Sequence, residues 1–169
     1  MLDSLITSKT RLRLIIKFFL NIANMGYLNS LANEFGESTN SIRKELNNLS
    51  SAGYLEKHTS NNKVIYKANA SHPLFKIIQN IVRKHVGIED ILETIYDKIG
   101  DVKKIIILGD YAKGIDSGLI EVLIVGDNIN KDYLDEITEK IEKKIKRKVN
   151  FFVSNKVLNQ ISLTVFESS

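Results

Sequence analysis

The side chains best suited to chemistry in the N-terminal half of the sequence are hydroxyls, amides and cations on one helix-like stretch and just beyond it. They are Ser38, Thr39, Asn40, Ser41, Arg43, Lys44 and Asn47, followed by Lys57, His58, Asn62 and Lys63. Arginine pairs well with guanine and asparagine with adenine, whereas lysine and hydroxyl groups commonly bind phosphate. These residue types therefore favour contact with a nucleic acid.

A second group of chemically capable residues lies in the segment IIILGDYAKGIDSGLIEVLIVGD, at residues 105–127. An apolar run ends at Gly109, a glycine-containing loop follows, and Glu121 stands near the start of the next apolar run. Carboxylates in such a loop can hold Mg²⁺, which prefers hard oxygen ligands. The other acids of this segment are Asp110, Asp116 and Asp127. They could form a separate metal site, although loop acids are more often solvated turn formers.

The first group of polar residues is positioned by two short predicted helices and a hairpin. Leu28, Leu31 and Phe35 mark the first helix, which Gly36 breaks. Ser38 or Thr39 can cap the second helix by accepting a hydrogen bond from an unpaired backbone N–H. The apolar residues of the second helix recur at helical spacing and should face inward: Ile42, Leu46 and Leu49. The polar residues between them should then face outward.

The second helix should end at Ala52-Gly53, because glycine tolerates the left-handed conformation of many helix ends. Strand-like runs follow at residues 54–57 and 64–67, with a polar turn between them that contains residues 59–62. A further helix is predicted over residues 7–24, with Arg11, Arg13 and Lys17 on an ordinary exposed face. Three helices and a hairpin predict a helix-turn-helix with a β-hairpin wing.

The remainder of the chain alternates helices and strands. Helices are predicted over residues 72–86, 88–99 and 131–146, and strands over residues 103–108, 120–125, 149–153 and 162–166. The predicted fold class is therefore α+β, with a winged helix at residues 1–70, a connector helix at residues 71–87 and a small α/β domain at residues 88–169.

Composition and charge narrow the function classes. The chain has 169 residues, of which 43% are hydrophobic, and no cysteine, so disulfides, thiolate metal sites and cysteine nucleophiles are excluded. The most apolar stretch, residues 14–22, is too short to cross a membrane, and we expect a cytoplasmic protein. Residues 1–70 contain nine Lys and Arg against five Asp and Glu, whereas residues 71–169 contain fifteen of each. The net charge of +4 thus belongs to the predicted winged helix, and a basic surface attracts phosphates.

Three stretches of sequence resemble one known arrangement of domains. They are STNSIRKELNNLSSAGYL at residues 38–55, NASHPLF at residues 69–75 and GDYAKG at residues 109–114. Together they resemble bacterial and archaeal regulators that join an ArsR-like winged helix to a nucleotidyltransferase-like domain. The resemblance covers most of the chain and implies transcription regulation through double-stranded DNA.

In active nucleotidyltransferases a Gly-Ser turn holds the nucleotide phosphates and three carboxylates hold magnesium. Here the resemblance aligns that turn with Gly109-Asp110 and the paired carboxylates with Leu119 and Glu121. The third position falls at Asn150 or a neighbour, where no acid occurs. One carboxylate of three rarely holds Mg²⁺ productively, so we expect a domain without catalytic residues, bound cofactor or metal site.

The sequence therefore predicts a regulator whose second helix, residues 38–50, enters the major groove while the wing holds the backbone. Two-fold operators suit a homodimer, for which residues 7–24 or 72–86 are candidate surfaces. The C-terminal domain would serve assembly or the sensing of a small-molecule effector. Two alternatives remain: a Mg-dependent nucleotidyltransferase that uses Glu121, and a protein-interaction module in which the winged helix binds a protein partner.

Overall fold

The computed structural model describes residues 1–96 and 98–169 and has an α+β fold with two sheets. The helices are α1 (Leu2–Leu5), α2 (Lys9–Leu20), α3 (Leu28–Phe35), α4 (Thr39–Ser51), α5 (Phe75–Val86), α6 (Ile88–Ile95), α7 (Gly109–Ala112) and α8 (Lys131–Ile145). The strands are β1 (Met25–Gly26), β2 (Leu55–Ser60), β3 (Lys63–Ala68), β4 (Asp101–Leu108), β5 (Leu119–Asp127), β6 (Lys148–Ser154) and β7 (Leu163–Glu167). The chain divides into two compact units, Met1–Val82 and Arg83–Ser169, with the boundary inside α5. None of the described helices is long and apolar enough to cross a membrane.

Helix α2 is shorter than the predicted helix over residues 7–24. It begins after Ser8, whose side chain accepts a hydrogen bond from the backbone N–H of Arg11. It ends at Leu20 because Asn21 takes an extended backbone and its side-chain oxygen accepts from the N–H of Ala23. This local hydrogen bond competes with continuation of the helix.

Helices α3 and α4 confirm the predicted pair. Gly36 ends α3 in the left-handed conformation, with φ of 63°. Ser38 caps α4 by accepting a hydrogen bond from the N–H of Ser41. The apolar residues of α4 that were predicted to face inward are all buried: Ile42, Leu46 and Leu49.

Three ion pairs join α2 to α3, to α4 and to Glu37 between them, and they correct the prediction of an exposed face at Lys17. Arg11 Nε donates to Glu45 Oε2 at 2.8 Å, and Arg13 Nη1 donates to Glu37 Oε1 at 3.0 Å. Lys17 Nζ donates to Glu34 Oε1 at 2.7 Å, and Lys17 is only 8% exposed. Arg11 and Arg13 keep side chains that are 42% and 50% exposed, so the prediction was wrong only for Lys17. The ion pairs had no local signal, because the partners lie 17 to 34 positions away.

The N-terminal sheet has the strand order β1-β3-β2, with all pairs antiparallel. Strands β2 and β3 are joined by the two residues Asn61 and Asn62, both with positive φ. Asparagine tolerates this conformation, which suits the tightest hairpin turns. Residues 59 and 60, predicted to lie in the turn, therefore belong to β2. Met25 and Gly26, predicted as a helix end, pair with β3 instead.

The C-terminal sheet has the strand order β6-β5-β4-β7. Strands β4 and β5 form an antiparallel pair, and β6 lies parallel to β5 because α8 returns the chain to the same end. Strand β7 pairs antiparallel with the other side of β4. All four strands predicted for this part of the chain are present, with ends shifted by one or two residues.

Helix α6 ends at Ile95, earlier than the predicted helix over residues 88–99. The carbonyl of Ile99 accepts a hydrogen bond from the N–H of Asn130, before α8, instead of continuing a helical turn. Ile99 is nevertheless buried, as the pattern predicted. The part of the prediction at residue 97 lies outside the described residues.

Candidate nucleic-acid interface and C-terminal loop

All of the predicted contact residues on α4 and at its N-cap are exposed: Ser38, Thr39, Asn40, Ser41, Arg43, Lys44 and Asn47. The side chain of Ser38 is engaged in capping, and its hydroxyl lies 3.0 Å from that of Ser41. Arg43 Nη1 donates to Asn40 Oδ1 at 3.0 Å, which holds the guanidinium along the outer surface of the helix. The exposed face of α4 therefore carries an arranged set of donors and acceptors.

The four predicted hairpin residues are exposed, but they do not share one face. Lys57 pairs with Tyr66 and lies on the face that also carries Val64. His58 pairs with Ile65 on the opposite face, where its Nε2 lies 3.7 Å from Glu56 Oε2. The alternation of side chains along a strand thus separates Lys57 from its neighbour His58.

Residues of α4 and of the hairpin turn line one surface depression of about 360 Å³. Arg43 and Asn47 contribute from α4, and Asn62 and Lys63 contribute from the turn and β3. Its further lining residues are Tyr27, Leu28, Asn29, Leu46, Val64 and Tyr66. The fold therefore brings together residues that are 15 or more positions apart in the chain.

Tyr27 and Asn29 were missed by the sequence interpretation. Lys63 Nζ lies 4.6 Å from the centroid of the Tyr27 ring, close enough for a cation–π contact that steadies the lysine at the rim of the depression. Asn29 is in the first turn of α3. The available sequence signal was that Asn29 is a polar residue near the start of a helix. Its sequence neighbours do not indicate that it lies near the hairpin.

Acids and cations are distributed unevenly over the N-terminal residues 1–70. Each of the five acids lies within ion-pair distance of a cation: Asp3, Glu34, Glu37, Glu45 and Glu56. In the described part of the chain, the side-chain cations of this region without an ion pair are Lys9, Arg43, Lys44, Lys57 and Lys63. Four of these five lie on α4 or the hairpin. The uncompensated positive charge is therefore concentrated on the surface predicted to contact nucleic acid.

The carboxylate of Glu121 covers the glycine turn in the C-terminal unit. A Cβ placed on Gly109 would collide with Glu121 Oε2, and Gly109 has a φ of 61°. Glu121 pairs in register with Asn150, and Leu119 lies two residues earlier on the same face of β5. The one remaining carboxylate is thus flanked by an amide and a half-exposed leucine, neither of which supplies negative charge for Mg²⁺.

The loop between α7 and β5 is held by Tyr111, Asp116 and Arg147. Arg147 Nε and Nη2 donate to the two carboxylate oxygens of Asp116 at 2.8 and 2.7 Å. The hydroxyl of Tyr111 donates to Asp116 and accepts from the N–H of Gly118 at 3.0 Å. Burial raises the pKa of Tyr111, and the neighbouring Asp116 carboxylate raises it further. Burial alone would raise the pKa of Asp116, but hydrogen bonds from Arg147 and Tyr111 outweigh it and lower that pKa.

The loop acids do not assemble into a metal site. Asp116 is bound by Arg147, and Asp127 Oδ2 accepts from Lys103 Nζ at 2.6 Å. Asp110 is exposed in α7. Within residues 1–96 and 98–169, no group of three or more His, Asp or Glu side chains is placed to hold a metal ion. Asp116 was expected to be a solvated turn former; the residue is exposed, but its carboxylate is bound by Arg147, which lies 31 positions later in the sequence.

Comparison with known proteins gives no relative for this arrangement. No family model, curated protein or solved structure matches the chain.

Proposed function

We propose that the chain is a DNA-binding transcriptional regulator whose N-terminal unit is an ArsR-like winged helix-turn-helix domain. The observation that carries the proposal is the shared depression into which Arg43 and Asn47 project from α4 and Asn62 and Lys63 from the hairpin. Two separate segments thus present donors and cations to one ligand. A duplex offers base edges in its groove and phosphates beside it, which matches both kinds of group.

The dimensions of α4 suit the major groove. Its 13 residues give a length of about 20 Å, and the groove of B-form DNA is about 12 Å wide. Insertion of the exposed face would bring Asn40, Arg43 and Asn47 to base edges. Lys44 and the hairpin cations Lys57 and Lys63 would then bind phosphates, which fixes the register of the protein on the duplex.

The charge distribution supports a polyanionic partner over a protein partner. The acids of residues 1–70 are already paired, so the cations of α4 and the hairpin are available to an external anion. A protein partner would require compensating acids at the same spacing. Duplex DNA supplies regularly spaced phosphates whatever its sequence.

For the C-terminal unit we propose a nucleotidyltransferase-like domain that no longer catalyses transfer and serves assembly or ligand sensing. The order of β4, α7, β5, α8 and β6 suits that resemblance. Support for lost catalysis comes from Leu119 and Asn150, which stand beside Glu121 where metal-binding carboxylates would be needed. Under this proposal Tyr111, Asp116 and Arg147 stabilise the loop between α7 and β5, which follows the turn at Gly109-Asp110.

We further propose that the regulator acts as a homodimer, since two-fold proteins read two-fold operators. Helix α5 offers an apolar surface for this contact. Leu74, Ile77 and Ile81 lie at helical spacing at or just before α5 and are each more than 40% exposed. Burial of such a stripe against a second copy would remove it from water.

The proposal is tested by replacing Arg43 and Lys44 together with alanine and measuring fluorescence anisotropy on a mixed-sequence duplex. We expect the affinity at low salt to fall roughly tenfold, and the slope of log K against log salt to become shallower by up to about 2. The matched control removes two exposed cations of α8, Lys131→Ala with Lys140→Ala, and should leave binding unchanged. Equal DNA affinity of the two double variants would contradict the assignment of α4 to the DNA interface.

A further inference from the structure

The N-terminal unit contains a pocket that DNA binding does not use. Its volume is about 440 Å³, and its walls come from α1, α2, α4 and α5. Phe19, Leu49 and Val82 form buried parts of the wall, each less than 10% exposed. Leu5 and Ile81 lie at its edge and are 78% and 43% exposed. A cavity of this size is within the range of small-molecule sites, about 300–1,000 Å³.

Arg11, Asn48 and the phenol of Tyr54 interrupt this apolar lining, and Arg11 is its one charged side chain. Arg11 is fixed in place because its Nε donates to Glu45, which also accepts from the hydroxyl of Ser8 at 3.0 Å. Neither Nη nitrogen of Arg11 hydrogen bonds to a described residue, and its side chain is 42% exposed. A preorganised guanidinium with free donors at an apolar pocket favours an anionic group, and a carboxylate matches its geometry.

We propose that this pocket binds an amphipathic carboxylate, a ligand with a hydrocarbon body and one carboxylate head. The head would accept hydrogen bonds from the Nη groups of Arg11 while Glu45 keeps its bond to Nε. The hydrocarbon body would contact Ile15, Phe19 and Leu49 and cover the exposed side chains of Leu5 and Ile81. Removal of this apolar surface from water drives the binding, and the charge pair selects the head group.

The shape of the site favours a small ligand over a second copy of the chain. Leu74 and Ile77, two of the three residues of the apolar stripe proposed for dimerisation, do not line the pocket. The convex stripe and the concave pocket are therefore separate features that meet at Ile81. A second copy can cover the stripe without filling a volume of about 440 Å³.

The pocket also touches the helix proposed to read DNA. Asn48 and Leu49 line it from the C-terminal part of α4, whose N-terminal part exposes Arg43 and Lys44. A ligand that shifts α4 would change the presentation of these cations. This regulatory consequence rests on the proposed function, whereas ligand binding itself does not.

The test is isothermal titration calorimetry of the full chain, without DNA, with dodecanoate below its micelle-forming concentration. Dodecanol and dodecyltrimethylammonium are the matched probes, because they share the hydrocarbon chain but carry a neutral or positive head. We expect saturable binding of one dodecanoate per chain, at least tenfold tighter than either matched probe. Absent binding of dodecanoate, or equal binding of all three probes, would overturn the proposal.

Two variants locate the site. Ala52→Phe places a ring in the pocket from an exposed position at the end of α4, where the right-handed backbone accepts any side chain. Ile81→Phe narrows the mouth from α5 as a second, independent variant. Each should weaken dodecanoate binding at least tenfold while Ala52→Ser leaves it unchanged, with circular dichroism as the check of folding. Retained affinity in both folded phenylalanine variants contradicts the assignment of this pocket.

Sedimentation of the same proteins separates the two possible occupants. If Ala52→Phe dissociates a dimer and dodecanoate does not bind, the pocket is a subunit contact and the ligand proposal is wrong. Because none of these measurements contains DNA, a failure of the ligand site is distinguishable from a failure of DNA binding.

Discussion

Arg147 forms a bidentate ion pair with Asp116, with its Nε 2.8 Å from Oδ1 and its Nη2 2.7 Å from Oδ2. The same guanidinium donates through Nη1 to the carbonyls of Ile145 and His85, at 3.0 and 3.3 Å. One side chain therefore joins the loop before β5 to the end of α8 and the end of α5. Bidentate pairing of this kind is stronger and more directional than a single surface ion pair.

Replacement of Arg147 should destabilise the C-terminal unit. Arg147→Ala leaves the Asp116 carboxylate, whose side chain is 25% exposed, with the Tyr111 hydroxyl as its remaining side-chain donor, and we expect a loss of about 2 kcal/mol in the free energy of unfolding by urea. Lys148→Ala is the matched control, since its pair with Glu142 involves a lysine side chain that is 77% exposed. The control should cost below about 1 kcal/mol. Equal losses of unfolding free energy in the two variants would show that the bidentate pair of Arg147 with Asp116 contributes no more than an exposed ion pair.

The pH dependence of the same proteins gives a second readout. In the folded protein the pKa of Asp116 is lowered below its ordinary value of 3.8. The stability linked to this group is therefore present above the unfolded pKa and is lost as pH falls through the folded pKa. Without Arg147 the folded pKa moves up towards or above the unfolded one. Arg147→Ala should consequently lose less stability than the wild type on acidification below about pH 4.

The two faces of the hairpin predict different effects of neighbouring substitutions. Lys57 lies on the face of Val64 and Tyr66, which line the depression. His58 lies on the other face, which near the turn also carries Lys63, and its Nε2 is 3.7 Å from Glu56 Oε2. Lys57→Ala should weaken DNA binding several-fold and reduce the salt slope by about 1. His58→Ala should change both quantities less. A larger effect of His58→Ala, measured by anisotropy on the same duplex, would reverse the assignment of the DNA-facing side.

The C-terminal unit should not gain stability from a nucleotide. With Leu119 and Asn150 beside Glu121, the donor set for Mg²⁺ is poor, and we expect ATP with Mg²⁺ to leave the melting temperature unchanged. The measurement is a thermal shift assay of the wild type and of Glu121→Ala. Stabilisation of the wild type that disappears in Glu121→Ala would instead favour the nucleotidyltransferase alternative.

The sequence predicted best those features that depend on neighbouring residues. The spacing of Ile42, Leu46 and Leu49 identified the inner face of α4, and Ser38 identified its start. The four C-terminal strands were likewise visible as short apolar runs, of which the first two each end at a glycine. Such signals are local, so a single sequence carries them.

Features that depend on distant partners could not be read from the sequence. Met25 and Gly26 form a strand only because Lys67 and Tyr66 lie beside them. The four-residue helix α1 is shorter than a helical pattern can reveal. The partners of Lys17 and Asp116 are likewise set by the packing of separate elements.

The site was predicted in part for the same reason. The polar face of α4 follows from helical periodicity, and the structure confirms that its side chains are exposed. The separation of Lys57 from His58 required the hairpin register, which depends on the short Asn61-Asn62 turn. The position of Tyr27 beneath Lys63 required the tertiary structure.

The most direct test of the central claim is fluorescence anisotropy of the wild-type protein on mixed-sequence duplex DNA across a salt series. The account predicts binding at low salt that weakens steeply as salt rises, because Arg43, Lys44, Lys57 and Lys63 replace counterions on phosphates. With about four such contacts, the slope of log K against log salt should be about −3 to −4. Absence of binding even at the lowest salt would contradict the account and favour the protein-interaction alternative.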